Sequence, residues 1–156
     1  MAQYSYDVVG VGNAIVDVIA NVDDDFLVEH DLCKGSMTLI DTDRAKALYE
    51  DMPPGIETSG GSAANTLAGV ASFGGRAAFI GKVRDDQLGE VFRHDIRAAG
   101  VDYHTPLAPD GPPTARCLIQ VTPDAQRTMN TYLGIAALLE PDDIDRDLVA
   151  ASRIVY

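Results

Sequence analysis

Ser59-Gly-Gly-Ser-Ala-Ala-Asn-Thr-Leu-Ala-Gly-Val-Ala-Ser-Phe-Gly-Gly75, followed by Arg76-Ala-Ala-Phe-Ile-Gly81 and then by Asp86 to Gly100, decides the fold. Residues 62–73 are small and uncharged and end on Gly74-Gly75, as a helix closes on a C-terminal glycine, which predicts a helix packed closely on a sheet. Arg76–Gly81 reads as a short strand. Asp86–Ala99 sets Leu88, Val91, Phe92 and Ile96 at helical spacing and stops at Gly100. Upstream, Tyr6-Asp-Val-Val-Gly-Val-Gly12 is nearly continuously apolar, the pattern of a strand buried on both faces. The alternation of strand and helix predicts an α/β fold with a parallel core sheet.

Working outward, Asp17–Val22 and Ser36–Ile40 are β-type segments separated by an acidic, partly helical stretch from Asp23 to Cys33. Thr42–Asp51 has a Thr/Asp cap signal and good helix formers, and Pro53-Pro54-Gly55 ends it. Beyond Gly100 the pattern changes. Thr114–Thr122 and Arg127–Leu133 flank Pro123-Asp-Ala-Gln126, a hairpin signature. Antiparallel strands inserted in an α/β chain are expected to form a small sheet projecting from the core, a lid made of segments about 17–40 and 103–134 within one domain. Pro141 is pre-set for the first turn of a short helix, and Arg153–Tyr156 opens another buried strand. A chain rarely finishes inside a core strand, so the domain is expected to continue past Tyr156.

Composition narrows the function. The chain of 156 residues is 46% apolar, enough for a buried core. No stretch approaches the roughly 18 apolar residues of a membrane helix, and the first residues lack the basic and apolar regions of a signal peptide. A cytoplasmic location and no membrane partner are the expectations. Twelve basic against 24 acidic residues give a formal charge of −12, which argues against a nucleic-acid surface but not against a small phosphorylated ligand. Cys33 and Cys117 have no metal-ligand spacing and read as reduced thiols. No metal site is expected.

Gly10-Val-Gly12 after a strand suggests dinucleotide binding, but the third glycine of that fingerprint would fall on Ile15, and no P-loop occurs. What remains is Asn13 and Asp17 at the end of a strand, where α/β sheets bind ligands. Both can hydrogen-bond a polyol, or satisfy a local turn. Gly60-Gly61 before a helix frees the backbone and uncovers N–H groups at the helix start. Asn65, in the first turns, adds an amide that both donates and accepts. That combination suits the hydroxyl groups of a ribose; the bland reading is a loop and a cap.

The spaced pattern Gly60-Gly61-Ser-Ala-Ala-Asn65, Ala68, Gly74, Phe79-Ile-Gly81, Asp86-Gln-Leu-Gly89 and Ala99-Gly-Val-Asp102 resembles the first signature region of ribokinase-like (PfkB) carbohydrate kinases. The resemblance covers essentially the whole chain. Gly12-Asn-Ala-Ile-Val-Asp17 and Arg127-Thr-Met-Asn-Thr-Tyr-Leu133 are most similar to adenosine kinases within that family. It implies a ribokinase-like parallel-sheet core, here partial, with a small antiparallel β lid. It also implies that Asp17 binds two sugar hydroxyls with Gly61 and Asn65, that Met129, Thr131 and Leu133 line a nucleoside pocket from the lid, and that Arg127 lies near the transferred phosphate. The implied activity is ATP- and Mg²⁺-dependent phosphorylation of the 5′-hydroxyl of a ribosyl compound such as adenosine. A sugar kinase acting on ribose or fructose, and a non-catalytic module dimerising through the lid, are the alternatives. For the latter an exposed apolar edge on strands 114–122 or 127–133 is the expected sign. The family's Gly-Ala-Gly-Asp loop, which carries the catalytic base, is not among these residues, so most ATP contacts are expected elsewhere and the 156 residues alone are expected to bind rather than catalyse.

Arg84 departs from a frequent family glycine. Asp86 reads as a helix N-cap. His30, His94 and His104 have no partner pattern, and Asp23-Asp-Asp25 and Asp142-Asp143 read as solvated surface.

Overall fold

The computed structural model describes residues 4–156. Strands β1 (Tyr6–Val11), β5 (Ala77–Ile80), β6 (Val101–Tyr103) and β9 (Ser152–Val155) form an all-parallel sheet in the order β6-β5-β1-β9. Helices α3 (Ser62–Ser72) and α4 (Gln87–Ala98) cover one face, where Leu67, Phe79, Phe92, Ile96 and Tyr103 are buried together. On the other face α5 (Arg146–Ala150) sets Leu148 against Val9, Ala78 and Ile80. Two-sided coverage explains why β1 and β5 read as apolar runs rather than alternations.

The remaining strands, β2 (Ile15–Asn21), β3 (Met37–Leu39), β4 (Ile56–Gly60), β7 (Ala115–Val121) and β8 (Arg127–Tyr132), make a second sheet in the order β3-β8-β7-β2-β4. It corrects the expected antiparallel lid in two respects. The sheet is mixed, with β2 parallel to β7 and β3 parallel to β8. It also includes β4, antiparallel to β2. Ile56-Glu-Thr-Ser-Gly60 is short, polar and hemmed by Pro-Pro-Gly and Gly-Gly, so its strand character comes from the partner and not from its own sequence. Strands β7 and β8 are interior, so neither offers the open edge that a lid-mediated dimer would need; the edges belong to β3 and β4.

Helix α1 (Asp24–Glu29) is capped by Asp23, and α2 (Thr42–Asp51) by Asp41 rather than by the expected Thr42. Leu48 of α2 and Phe26 of α1 pack with Val16, Val18 and Leu118, so the outer face of the second sheet joins the main core. The opposite face stays open.

The sheets are tied where the chain crosses between them. Asp86 accepts from Gly89 N, capping α4 as expected, and its carboxylate also accepts from the amide and hydroxyl of Thr114, the residue before β7. Thr114 is fully buried. At the return crossing Gly134 has φ +47°, and a side chain there would collide with the Pro113 carbonyl. Asp143 departs from the solvated reading: half-buried, it accepts from Lys82 at 2.9 Å and from Glu140 N at 2.8 Å.

Candidate functional site

The register of the second sheet orders its open face into cross-strand rows, because residues paired across neighbouring strands project to the same side. Nearest the crossings, Gly60 pairs with Ile15 and Ile15 with Ala115. The next row runs Thr58, Asp17, Cys117, Thr131, Leu39, and the one beyond it Ile56, Ile19, Ile119, Met129, Met37. Farthest out lie Asn21, Val121 and Arg127. Residues of the first three rows on β2, β7, β8 and β3 wall a cavity of about 340 Å³ whose base is the start of α3, a volume within the usual range for small-molecule sites.

One end of the cavity is polar. Asp17 projects from β2, and opposite it stand Gly61, Ser62 and Asn65. Gly61 precedes α3 with φ +96°, a conformation costly to any residue with a Cβ, and a Cβ there would stand 2.7 Å from the Asn13 carbonyl oxygen. No side chain caps α3, so its first N–H groups stay open at the end of the helix that favours negative charge. Burial pushes the Asp17 carboxyl above its ordinary value, since desolvation disfavours the ionised form.

The other end is apolar and sulfur-rich. Cys117, Ile119, Met129 and Leu133 form the wall, with Met37 and Leu39 of edge strand β3 over it. The Thr131 hydroxyl donates to Cys117 Sγ at 3.2 Å. Met37 and Leu39 are 58% and 61% exposed, so this wall is open to solvent.

Of the residues singled out in sequence, Asp17, Gly61, Asn65, Met129, Thr131 and Leu133 meet in this one cavity. Gly60 is buried behind the Asp17 carboxylate and contributes by lacking a side chain. Asn13 is exposed and outside the lining, with its carbonyl packed beside Gly61. Arg127 is exposed at the outer row, on the cavity face but beyond the lining. Ile15, Met37, Leu39, Ser62, Cys117 and Ile119 were not anticipated. The period of two along β2 and β7 carries a signal for Ile15, Cys117 and Ile119 once Asp17 and Thr131 are known to face inward; Met37 and Leu39 depend on a long-range pairing.

Among the described residues no three acidic, histidine or cysteine side chains converge as metal ligands, and no helix is long and apolar enough to cross a membrane.

Residues 37–156 match the sequence model of the pfkB family carbohydrate kinases. The structure superposes on adenosine kinase from Sinorhizobium meliloti with a TM-score of 0.88 and 58% identity, covering 97% of this chain and 46% of that one. It superposes on a probable sugar kinase from Rhizobium etli with a TM-score of 0.90 and 51% identity, covering 100% of this chain and 47% of that one. A probable fructokinase-3 from Arabidopsis thaliana is 31% identical over 108 residues, which are 68% of this chain and 31% of the fructokinase. The chain thus spans about half the length of these solved relatives and about a third of the fructokinase.

Proposed function

Because the chain belongs to the pfkB family of carbohydrate kinases, we propose that these residues are the acceptor-binding half of a kinase that phosphorylates the 5′-hydroxyl of a purine nucleoside. The observation that carries the reading is the polarity of one cavity: a carboxylate and an uncapped helix start at one end, a thioether and aliphatic wall at the other. A ribose with its base attached matches both ends at once. A free sugar would satisfy the first and leave the second against water. The relatives include an adenosine kinase, a probable sugar kinase and a probable fructokinase, so the acceptor is argued from the cavity and not from the likeness.

Asp17 accepts two ribose hydroxyl protons, and both bonds are charge-assisted. Asn65 and the first N–H groups of α3 donate to the oxygens of those same hydroxyls, and Met129 and Leu133 pack on the base. Orientation of this kind is a large share of what a phosphotransferase supplies. Rotation of the second sheet toward the core would exclude water, the competing acceptor. ATP with Mg²⁺ supplies the phosphoryl group. Arg127, on the cavity face at the outer row, is the residue assigned to the donor's phosphates.

The test is a phosphorylation assay of the complete protein with Mg²⁺-ATP and adenosine, ribose or fructose. Adenosine is expected to give a kcat/KM at least about tenfold above either sugar, the order of discrimination that burying one more apolar group provides. Preference for fructose or ribose would replace this reading with the sugar-kinase one, and no transfer to any of the three would remove it. Residues 1–156 alone are expected to bind adenosine without turnover.

A further inference from the structure

A second cavity, of about 480 Å³, lies beside the two crossings and shares no lining residue with the site described above. One wall is the loop from β6 to β7, with Pro106, Pro109 and Pro112; another is made by the 3₁₀ turns Gly134–Leu138 and Pro141–Asp143. Both walls are braced. Ala108 N donates to the Val83 carbonyl at 2.9 Å, and Asp85 N to the Ala108 carbonyl at 2.8 Å. Arg84, at the position where the family often has glycine, donates from Nη1 to the Gly111 carbonyl at 2.6 Å and so holds the tip of the loop. Ile135 N donates to the Pro113 carbonyl at 3.1 Å, and Lys82 Nζ donates to the Leu138 carbonyl at 3.3 Å and to Asp143 at 2.9 Å. Proline fixes φ in the loop as well. The cavity is therefore pre-formed, as small-molecule sites usually are.

Its lining has two characters. Leu107, Ile135 and Leu138 are aliphatic, and Leu138 is 51% exposed. Asp110, Glu140 and Asp142 are exposed carboxylates, and among the described residues none of them has a basic partner. Lys82, the one cation of the lining, is already taken by Asp143. An anion would be repelled by that surplus of charge. A single metal ion would not collect it, because among the described residues no three acidic side chains converge. Separated carboxylates around an aliphatic floor match a ligand that carries several positive charges on an apolar chain.

We infer that this cavity binds an aliphatic polyamine. Its methylenes lie on Leu107, Ile135 and Leu138, and its ammonium groups donate charge-assisted hydrogen bonds to Asp110 from the loop and to Glu140 and Asp142 from the second turn. The site takes no part in holding the acceptor, so it stands or falls independently of the nucleoside reading.

Calorimetric titration of the complete protein with spermidine at constant ionic strength tests the site. One spermidine per chain is expected, and excess Mg²⁺ should not displace it, since a metal ion gains nothing from the aliphatic floor. Butylamine, with one ammonium group, is expected to bind at least about tenfold more weakly. The double variant Asp110→Asn with Asp142→Asn should weaken spermidine about tenfold, the sum of two exposed ion pairs. Leu138→Ser should weaken it about fivefold through lost apolar contact. All three positions are exposed, and circular dichroism checks that the variants keep the fold. The site is disproved if spermidine does not bind or binds at several copies per chain. Displacement by Mg²⁺, or an affinity unmoved by both variants, would also disprove it and leave only diffuse attraction to an acidic protein.

Discussion

Asp17 holds its carboxylate in the space that any side chain at position 60 would fill. A Cβ on Gly60 would stand 2.6 Å from Asp17 Oδ1 and nearer still to Oδ2 and Cγ. The two residues sit on antiparallel neighbours, with Gly60 pairing Ile15 while Asp17 pairs Thr58, so the carboxylate leans across the strand pair over a backbone kept bare for it. The room given to Asp17 is therefore a property of β4.

Gly60→Ala is expected to push the carboxylate off its position without unfolding the protein, since the clash is with a movable side chain and not with backbone. The kcat/KM of the complete protein for adenosine should fall about 10²-fold, the effect a displacement near 1 Å can have at a positioning group. Circular dichroism should stay native. Unchanged kcat/KM would show that the carboxylate's place is not set by position 60.

Asp17→Asn separates function from stability. Burial raises the carboxyl's pKa above 3.8 in the folded protein, so the folded state binds the proton more readily than the unfolded one. Ionisation therefore costs stability as the pH rises from the unfolded to the folded value, and that cost is carried in full at neutral pH. The asparagine variant escapes it and should be at least as stable as the wild type at pH 7 by urea denaturation, losing this relative advantage as the pH falls through the folded carboxyl's raised value to its ordinary one. Adenosine binding should weaken about 10²-fold, and wild-type binding should decline as acid protonates the group. A variant that is clearly less stable at pH 7 would contradict the burial argument.

Asp86→Ala removes the cap of α4 and orphans the Thr114 amide and hydroxyl together. A lost cap costs about 1 kcal/mol, and each buried polar group left unpaired costs about 1–3 kcal/mol more. A total of about 3–7 kcal/mol is expected from urea denaturation, with Asp86→Asn losing about half as much because its side-chain oxygen still accepts. A loss under about 1 kcal/mol would mean that Asp86 serves the helix alone.

The two thiols should react at different rates. Cys33 is exposed. Cys117 is 6% exposed in the cavity wall, and burial pushes its thiol up, the Asp17 charge adding to the effect against the opposing Thr131 bond. Since the thiolate is the reactive form, iodoacetamide at pH 8 should modify Cys33 at least about tenfold faster, and adenosine should slow Cys117 further. Mass spectrometry of the two peptides reads both; equal rates would mean that the cavity wall opens freely.

Local pattern alone carried the parallel core, the two helices on its face, the hairpin and the cap at Asp86. Each of these writes its period or its punctuation into neighbouring residues: continuous apolar runs for strands buried on both sides, helical spacing closed by Gly74 and Gly100, turn residues at 123–126. The Gly-Gly start of α3 and the carboxylate five residues past Gly12 were legible for the same reason, and their convergence could be expected from a resemblance. Tertiary structure alone decided that Ile56–Gly60 is a strand, that the second sheet is mixed, and which faces meet in the cavity. Strand pairing is a relation between distant segments, so Ile56, Met37 and Leu39 acquire their places from β2 and β8 and not from their own neighbours. Gly60 belongs to both accounts: its glycine is visible in the sequence, whereas the reason it must be glycine, a carboxylate leaning in from β2, exists only in the folded chain.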